Sequence, residues 1–345
     1  MKCNKILVAL SGGVDSSVCV HLMKEQGYDV TGLVLHLSPA HNSTVEAAQA
    51  AADAMGIPLI VAQEEEWFQR EVVTPWAEAY RRGQTPNPCI LCNPSTKFAL
   101  LCREAKARGF DTIVTGHYAG IEEREGRYLL KKAKFLPRDQ SYMLYRLSQE
   151  QLSMLCLPLE GMAKDQVRAI AAQAGLPCAS APDSQEICFI PDNDYAKFID
   201  ENTDKELPAG NFVDLDGNVL GRHKGITHYT VGQRKGLGLS MGHPVFVTEI
   251  RPETNEVVIG GAGEVFSDTL RCSRLNWMAI DGLHGEKLRV TAKIRYSHKG
   301  APCTIEETEN GIVQCRFDEP QRAITPGQAV VFYDGDFVVG GGNIL

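Results

Sequence analysis

The sequence predicts an α/β N-terminal domain built on a parallel sheet, then a small mainly-β central domain, then a C-terminal β-barrel. Three observations predict this. Short apolar runs alternate with helical stretches through the first half of the chain, the pattern of βαβ units. Past about residue 200, turn pairs such as Asp216-Gly217, Gly260-Gly261 and Gly340-Gly341 become frequent and helical spacing stops. Near the C-terminus one stretch alternates with period two. Leu288, Val290, Ala292, Ile294 and Tyr296 share one face, while Arg289, Thr291, Lys293 and Arg295 share the other, as in a half-buried strand from Leu288 to Ser297.

The elements follow in order. Lys5 to Leu10 is an apolar run broken by Ser11-Gly12-Gly13, and reads as a buried strand. Ser16 to Gln26 has helical spacing, and Gly27 suits its C-terminal end. Val30 to Leu35 is a second strand, Val45 to Met55 an alanine-rich helix stopped by Gly56, and Leu59 to Val61 a third strand. Lys97 to Ala107 is helical and Thr112 to Thr115 a strand, with Gln166 to Ala174 the last long helix. The expected domains are 1–203, 204–268 and 269–345. At 345 residues, two to three domains of about 150 residues each is the ordinary expectation.

Hydrophobic residues make up 43% and charged residues 23%, which excludes a disordered or collagen-like chain. The net charge of −8 weakens a nucleic-acid reading from composition alone and stays compatible with one where basic residues cluster locally. Lys131-Lys132, Lys134, Arg138, Arg234-Lys235, Lys293 and Arg295 are the local candidates. The N-terminus does not read as a signal peptide, and no run reaches the ~20 apolar residues of a membrane helix. A cytoplasmic location is expected, where thiols stay reduced. The eleven cysteines are therefore read as packing residues, metal ligands or reactive groups.

Ser11-Gly12-Gly13-Val14-Asp15-Ser16-Ser17 joins the first strand to the first helix. The glycines permit a tight turn, and the free N–H groups of the helix start make an anion site. No lysine follows the glycines, so this is not a Walker A loop. Thr85-Pro86-Asn87-Pro88-Cys89-Ile90-Leu91-Cys92-Asn93 carries a C-x-x-C. Its two prolines predict an extended, rigid loop. Two thiols at that spacing suit a metal, a cluster or redox exchange, although zinc would want two further ligands. Cys188 read alone is a packing cysteine, as are Cys19, Cys102, Cys156 and Cys178. Cys3, Cys272, Cys303 and Cys315 have nothing around them that suggests chemistry.

The strand followed by SGG-x-DS resembles the pyrophosphate loop of the N-type ATP pyrophosphatases, which adenylate their substrates. The whole chain resembles the bacterial tRNA-specific 2-thiouridylase family. The matching motifs, in order, are SGGVDSS, Gly83 to Phe98, TGHY (Thr115 to Tyr118), DQSY (Asp139 to Tyr142), DS-x-x-ICFI (Asp183 to Ile190), TVGQRKGLG (Thr230 to Gly238), IRY, FDEP and TPGQ (Thr325 to Gln328). The resemblance implies an ATP-pyrophosphatase, HUP-like first domain, a tRNA-contacting central domain and a β-barrel. It implies ATP-dependent 2-thiolation of the wobble uridine of tRNA, with Mg²⁺ and with sulfur from a cysteine desulfurase, a sulfur carrier or sulfide.

Carried over residue by residue, it implies ATP contacts at Ala9, Leu10, Ser11, Gly12, Gly13, Val14, Asp15, Ser16, Leu35 and Gly116. Asp15 is the candidate for the metal ion. Cys92 matches the nucleophile and Cys188 the persulfide carrier. Asn87, Pro88 and Cys89 match the segment that meets the target base. His117, Arg138, Asp139, Gln140, Arg295, Tyr296 and Gln328 match tRNA contacts. Two departures stand out. Leu35-His36-Leu37-Ser38-Pro39 replaces the usual Met-Lys-Asn-Trp stretch, and Cys89 replaces an aspartate. With Cys89, three thiolates could hold a [4Fe–4S] cluster with one open iron. The favoured expectation is therefore a cluster on Cys89, Cys92 and Cys188 that carries the sulfur, with a Cys188 persulfide as the other route. Rival readings are another ATP-pyrophosphatase ligase and a non-catalytic iron–sulfur RNA-binding protein.

Overall fold

The computed structural model describes residues 5–182, 187–190, 192, 194–203, 208–308 and 311–345. Cys3, the Asp183–Glu186 part of the DS-x-x-ICFI motif and the expected boundary at 204 lie outside the described residues. The chain divides into two compact units. One comprises Met1–Val72, Leu91–Asn193 and Asp336–Val338, the other Val73–Ile90, Asp194–Gly335 and Val339–Leu345.

The first unit holds β1 (Lys5–Ala9), β2 (Asp29–His36), β3 (Leu59–Gln63), β4 (Thr112–Val114), β5 (Ala119–Arg124), β6 (Arg127–Lys132) and β7 (Leu155–Cys156). Five of them form one sheet, ordered β3-β2-β1-β4-β7 and parallel at every pairing. The apolar run of β1 has a direct cause. Ile6, Leu7 and Val8 are all buried, because a central parallel strand is covered on both faces. Helix α1 (Val14–Glu25) packs against the helix Lys164–Gln173, and α2 (Asn42–Met55) against β2 and β3. The buried residues of α2 are Ala48, Ala51 and Ala52, small enough for the helix to lie close. Strands β5 and β6 form an antiparallel hairpin.

The second unit contains a four-stranded sheet of β8 (Gly210–Val213), β9 (Val219–His223), β10 (Phe246–Arg251) and β11 (Glu256–Gly260). Its order is β10-β11-β8-β9, over a core that includes Phe212, Tyr229, Val247 and Val257. The same unit carries the barrel: β12 (Phe266–Trp277), β13 (Leu288–Lys293), β14 (Ala301–Glu307), β15 (Val313–Arg322), β16 (Ala329–Asp334) and β17 (Phe337–Ile344). Antiparallel β12–β17 pairing, such as Cys272 with Ile344, closes it. Cys272, Cys303 and Cys315 are fully buried in its core with Phe332, so their packing role holds. Phe332→Ala is expected to cost about 3–5 kcal/mol of stability, read by urea unfolding.

Two sequence expectations are corrected. The alternating strand ends at Lys293 rather than Ser297. The Arg295 guanidinium donates to the carbonyls of Arg322 and Ala323, each at 3.1 Å, and the His298 amide bonds the Arg295 carbonyl at 3.0 Å. These contacts turn the chain while Ile294 stays buried. The second correction concerns the proline-rich loop, which is not extended throughout. Pro88–Cys92 is a short helix, and Asn93–Lys97 continues as a π-helical turn. Proline suits the first helical position because its missing N–H would be unpaired there. The Asn87 side chain accepts the Cys89 amide at 2.9 Å and so caps the start.

Candidate active site

Ligands in open parallel sheets sit beyond the strand carboxyl ends, where the strand order reverses. In the order β3-β2-β1-β4 that point lies between β1 and β4. The Ser11–Ser17 loop leaves β1 there, and Gly116 follows β4. The predicted ATP residues Ala9 to Ser16 and Gly116 are therefore brought together. Gly12 adopts φ +74°, and a Cβ on it would lie 2.3 Å from the Ala47 carbonyl carbon of α2. No other residue fits. A Cβ on Gly116 would lie 3.0 Å from Asp15 Cβ, so β4 ends directly against the first turn of α1. The Ser16 hydroxyl donates to the Gly13 carbonyl at 3.1 Å and accepts the Ser11 amide at 3.2 Å. The Ser17 hydroxyl is buried and has no hydrogen-bond partner among the described residues. Leu35 is half-buried near the end of β2.

Asp15 has partners that sequence reasoning missed. The Lys164 Nζ lies 2.8 Å from both carboxylate oxygens, and the Tyr118 hydroxyl donates to Oδ1 at 2.7 Å. Burial and this carboxylate push the Tyr118 phenol up, so it stays a donor. The TGHY motif thus packs Gly116 on Asp15 and hydrogen-bonds it through Tyr118. His117 pairs with Thr115 Oγ1 at 2.8 Å and sits 5.6 Å from the Phe98 ring. Burial, aided by the nearby Lys97 charge, lowers its imidazole to about 3, so it is neutral at pH 7. Unfolded histidine takes its proton near 6.5, while folded His117 waits until about 3. Between those values the unfolded state holds more protons, so this contribution to stability is lost as pH falls below about 6.5. Urea melts from pH 4 to 7 are expected to show stability rising with pH, and His117→Asn to flatten the slope. An unchanged slope would contradict this.

The remaining predicted residues separate by role. Asp139 is buried and accepts from the Ala133 amide, the Ser141 amide and the Ser141 hydroxyl at 2.8–3.1 Å. Gln140 exchanges hydrogen bonds with the Tyr118 backbone, at 2.8 and 2.9 Å. These two hold the turn that presents Arg138, which is exposed. In the second unit, the Gln328 amide donates to the Thr85 carbonyl, and the Thr85 amide bonds Pro326. The TPGQ motif therefore braces the segment leading to Asn87 and Pro88. Tyr296 is exposed, with Lys293 Nζ 5.8 Å from its ring centre. Cys92 is buried and Cys188 exposed, both in the first unit; Cys89 is exposed and falls in the second. Next to Cys92, Asn93 donates to the Met143 carbonyl at 2.8 Å. Phe189, beside Cys188, packs edge-on against Phe68 at 5.2 Å.

Three domain families match in chain order. They are a tRNA methyl transferase HUP domain over residues 4–192, a tRNA methyl transferase PRC-barrel domain over 196–261, and an aminomethyltransferase β-barrel domain over 267–344. The tRNA-specific 2-thiouridylase MnmA of Lachnoclostridium phytofermentans is 48% identical over 355 residues, covering 99% of each chain. That of Acetivibrio thermocellus is 49% identical over 359 residues, covering all of both. The chain belongs to the tRNA-specific 2-thiouridylase family. Among solved structures, the U34-tRNA thiolase NcsA from Methanococcus maripaludis with its [4Fe-4S] cluster aligns at 18% identity and TM-score 0.36, over 57% of this chain and 67% of that one. That likeness is too slight to bear on the cofactor of a 2-thiouridylase. Membership in the family bears out the motif reading and the order of folds along the chain. Among the described residues of this 2-thiouridylase, no helix is long and apolar enough to cross a membrane.

Proposed function

We propose that this chain is a tRNA sulfurtransferase that uses ATP to thiolate the wobble uridine at carbon 2, acting in the cytoplasm on the tRNA anticodon stem-loop. The observation that carries this is the phosphate loop at the sheet's switch point, in a chain whose full-length relatives are named 2-thiouridylases. Methyl transfer, which two domain descriptions name, has no use for a loop shaped to bind phosphate. We read 1–203 as catalytic, 204–268 as tRNA-contacting and 269–345 as the barrel domain.

The chemistry follows from the leaving group. A carbonyl oxygen leaves poorly, and AMP on it leaves well. The uridine carbon-2 oxygen attacks the α-phosphorus of ATP held at Ser11–Ser17, and pyrophosphate departs. The terminal sulfur of a Cys188 persulfide then attacks carbon 2, and AMP leaves. The Cys92 thiolate attacks Cys188 Sγ, the S–S bond breaks, and its electrons stay on the base sulfur. This gives 2-thiouridine and a Cys92–Cys188 disulfide that a cellular thiol reduces. A cysteine desulfurase or a sulfur carrier delivers that sulfur as a persulfide; sulfide serves only by attacking Cys188 Sγ in the Cys92–Cys188 disulfide, whose S–S bond breaks to leave the persulfide on Cys188 and a thiolate on Cys92. Asn87, Pro88 and Cys89 meet the splayed base, and Arg138, His117, Arg295, Tyr296 and Gln328 serve the tRNA, directly or by bracing.

Mg²⁺ fits as the nucleotide's companion, because it takes one or two carboxylates beside substrate phosphates and Asp15 offers one. Bound there, it would neutralise phosphate charge. A [4Fe–4S] cluster does not fit. Among the described residues no three His, Cys, Asp or Glu side chains gather for a metal, as a cluster on Cys89, Cys92 and Cys188 would require. The proposed reaction runs without one. Anaerobic purification with iron and sulfide quantitation tests this. Iron-free protein supplied with a persulfide donor is expected to thiolate at full rate. A requirement for iron reconstitution would overturn the persulfide route.

A further inference from the structure

The second unit carries a basic stretch that the site described above does not use. From Gly217 to Thr248 the chain has no aspartate or glutamate, although acids make up 43 of its 345 residues. The same stretch holds Arg222, Lys224, Arg234, Lys235 and three histidines. Arg251, Lys287 and Arg289 of this unit form ion pairs with nearby carboxylates, whereas Lys224, Arg234 and Lys235 form none among the described residues. Arg234 and Gly236 to Val245 line an open cleft of about 520 Å³. Its shape is held from the apolar side. Leu237 and Val245 are buried in the core of the four-stranded sheet, with Leu239 and Met241 packed against it. Gln233 ties the start of the loop: its side-chain carbonyl accepts the Thr230 amide and its side-chain amide donates to the Lys235 carbonyl, both at 3.0 Å. Arg234, Lys235, Ser240 and His243 are left exposed. Between them Gly236, Gly238 and Gly242 take positive φ, and backbone without a Cβ lets a phosphate approach the N–H groups closely.

We propose that this cleft seats the phosphate backbone of the tRNA away from the reacting uridine, with Arg234 and Lys235 as its cations. The assignment rests on the tRNA reading above. The cleft adjoins the surface that carries Arg295 and Tyr296. The Arg322 guanidinium donates to the Gly232 carbonyl at 3.3 Å, and a Cβ on Gly232 would lie 2.5 Å from Ala323 Cβ. Arg322 and Ala323 are the residues whose carbonyls hold Arg295. One strand end therefore joins the basic loop to the exposed Tyr296 and to Lys293. The lining has no phenylalanine, tyrosine or tryptophan, so it offers no platform for a base. Its cations and glycine N–H groups suit phosphate oxygens, a contact that positions the RNA without reading its sequence. The concave form and size suit a phosphodiester with its sugars, and not the broad face of an acidic protein.

Fluorescence anisotropy of labelled tRNA with the full chain, from about 50 to about 200 mM salt, reads the contact. The unaltered protein is expected to bind; no binding at any salt would defeat the tRNA reading itself. Given that binding, Arg234→Ala with Lys235→Ala is expected to weaken tRNA about tenfold. The slope of log affinity against log salt is expected to fall in magnitude by about one to two, and each single variant to give about half of that change. Arg234→Lys with Lys235→Arg keeps both charges and is expected to keep the slope. tRNAs with other wobble bases are expected to lose the same factor, because every sequence presents the same phosphates. Affinity for an ATP analogue is expected to change less than about twofold, and urea melts to match, because both side chains are exposed. Unchanged tRNA affinity and slope would overturn the proposal. Tight binding of inorganic phosphate alone, with tRNA affinity intact, would overturn it in favour of a free anion. Thiolation lost only when an acidic carrier protein delivers the sulfur, with tRNA affinity intact, would overturn it in favour of a protein partner.

Discussion

Replacing Cys92 by serine is expected to lower thiolation of an anticodon stem-loop by about three orders of magnitude or more, the scale seen when a covalent-catalysis residue is removed. ATP analogue binding should stay within about twofold, because Cys92 lies outside the phosphate loop. A serine hydroxyl at this position is nearly isosteric but cannot resolve a persulfide, since the reaction needs a thiolate attacking sulfur. The substitution should therefore accumulate the base-linked Cys188 adduct, which mass spectrometry of the protein–RNA product reads directly. Near-normal thiolation by Cys92→Ser would remove this residue from the mechanism. Cys92 is buried and Cys188 exposed, so on the proposed route Cys188 is the one of the two that a sulfur donor would meet.

The second large effect is at Gly12. Gly12→Ala puts a methyl group 2.3 Å from the Ala47 carbonyl carbon at a residue with φ +74°. The left-handed conformation alone costs a non-glycine residue about 1–2 kcal/mol, and the clash is with backbone that cannot rotate away. Either the loop or α2 must shift. A fall in unfolding free energy of about 2 kcal/mol or more is expected, with ATP analogue binding weakened at least about tenfold. Calorimetry and urea melts measure both. Unchanged values would mean that the loop is not held against α2 as described.

Much of the first unit was legible because its strands are buried on both faces. Ile6 to Val8 must then be uniformly apolar, and a broken apolar run between helical stretches leaves few other readings. The phosphate loop was legible for a related reason: glycine and serine at a strand–helix junction are tied to local backbone geometry. What stayed hidden depends on tertiary partners. Lys164 looks like an ordinary helix-start lysine until the fold sets it on Asp15. Pro88 was misread because proline both breaks an ongoing helix and starts a new one, and only the Asn87 cap distinguishes the two. Gln328 and Arg295 also depend on tertiary partners. The motifs that carry them do not announce their bonds to the Thr85 carbonyl and to the Arg322 and Ala323 carbonyls.

The central claim is that the carbon-2 oxygen of the wobble uridine is adenylated before sulfur arrives. An anticodon stem-loop carrying ¹⁸O at that single oxygen tests it, incubated with the protein, ATP and a persulfide donor. The account predicts one 2-thiouridine for each AMP, with the ¹⁸O recovered in the AMP phosphate by mass spectrometry. Unlabelled AMP alongside 2-thiouridine would contradict it.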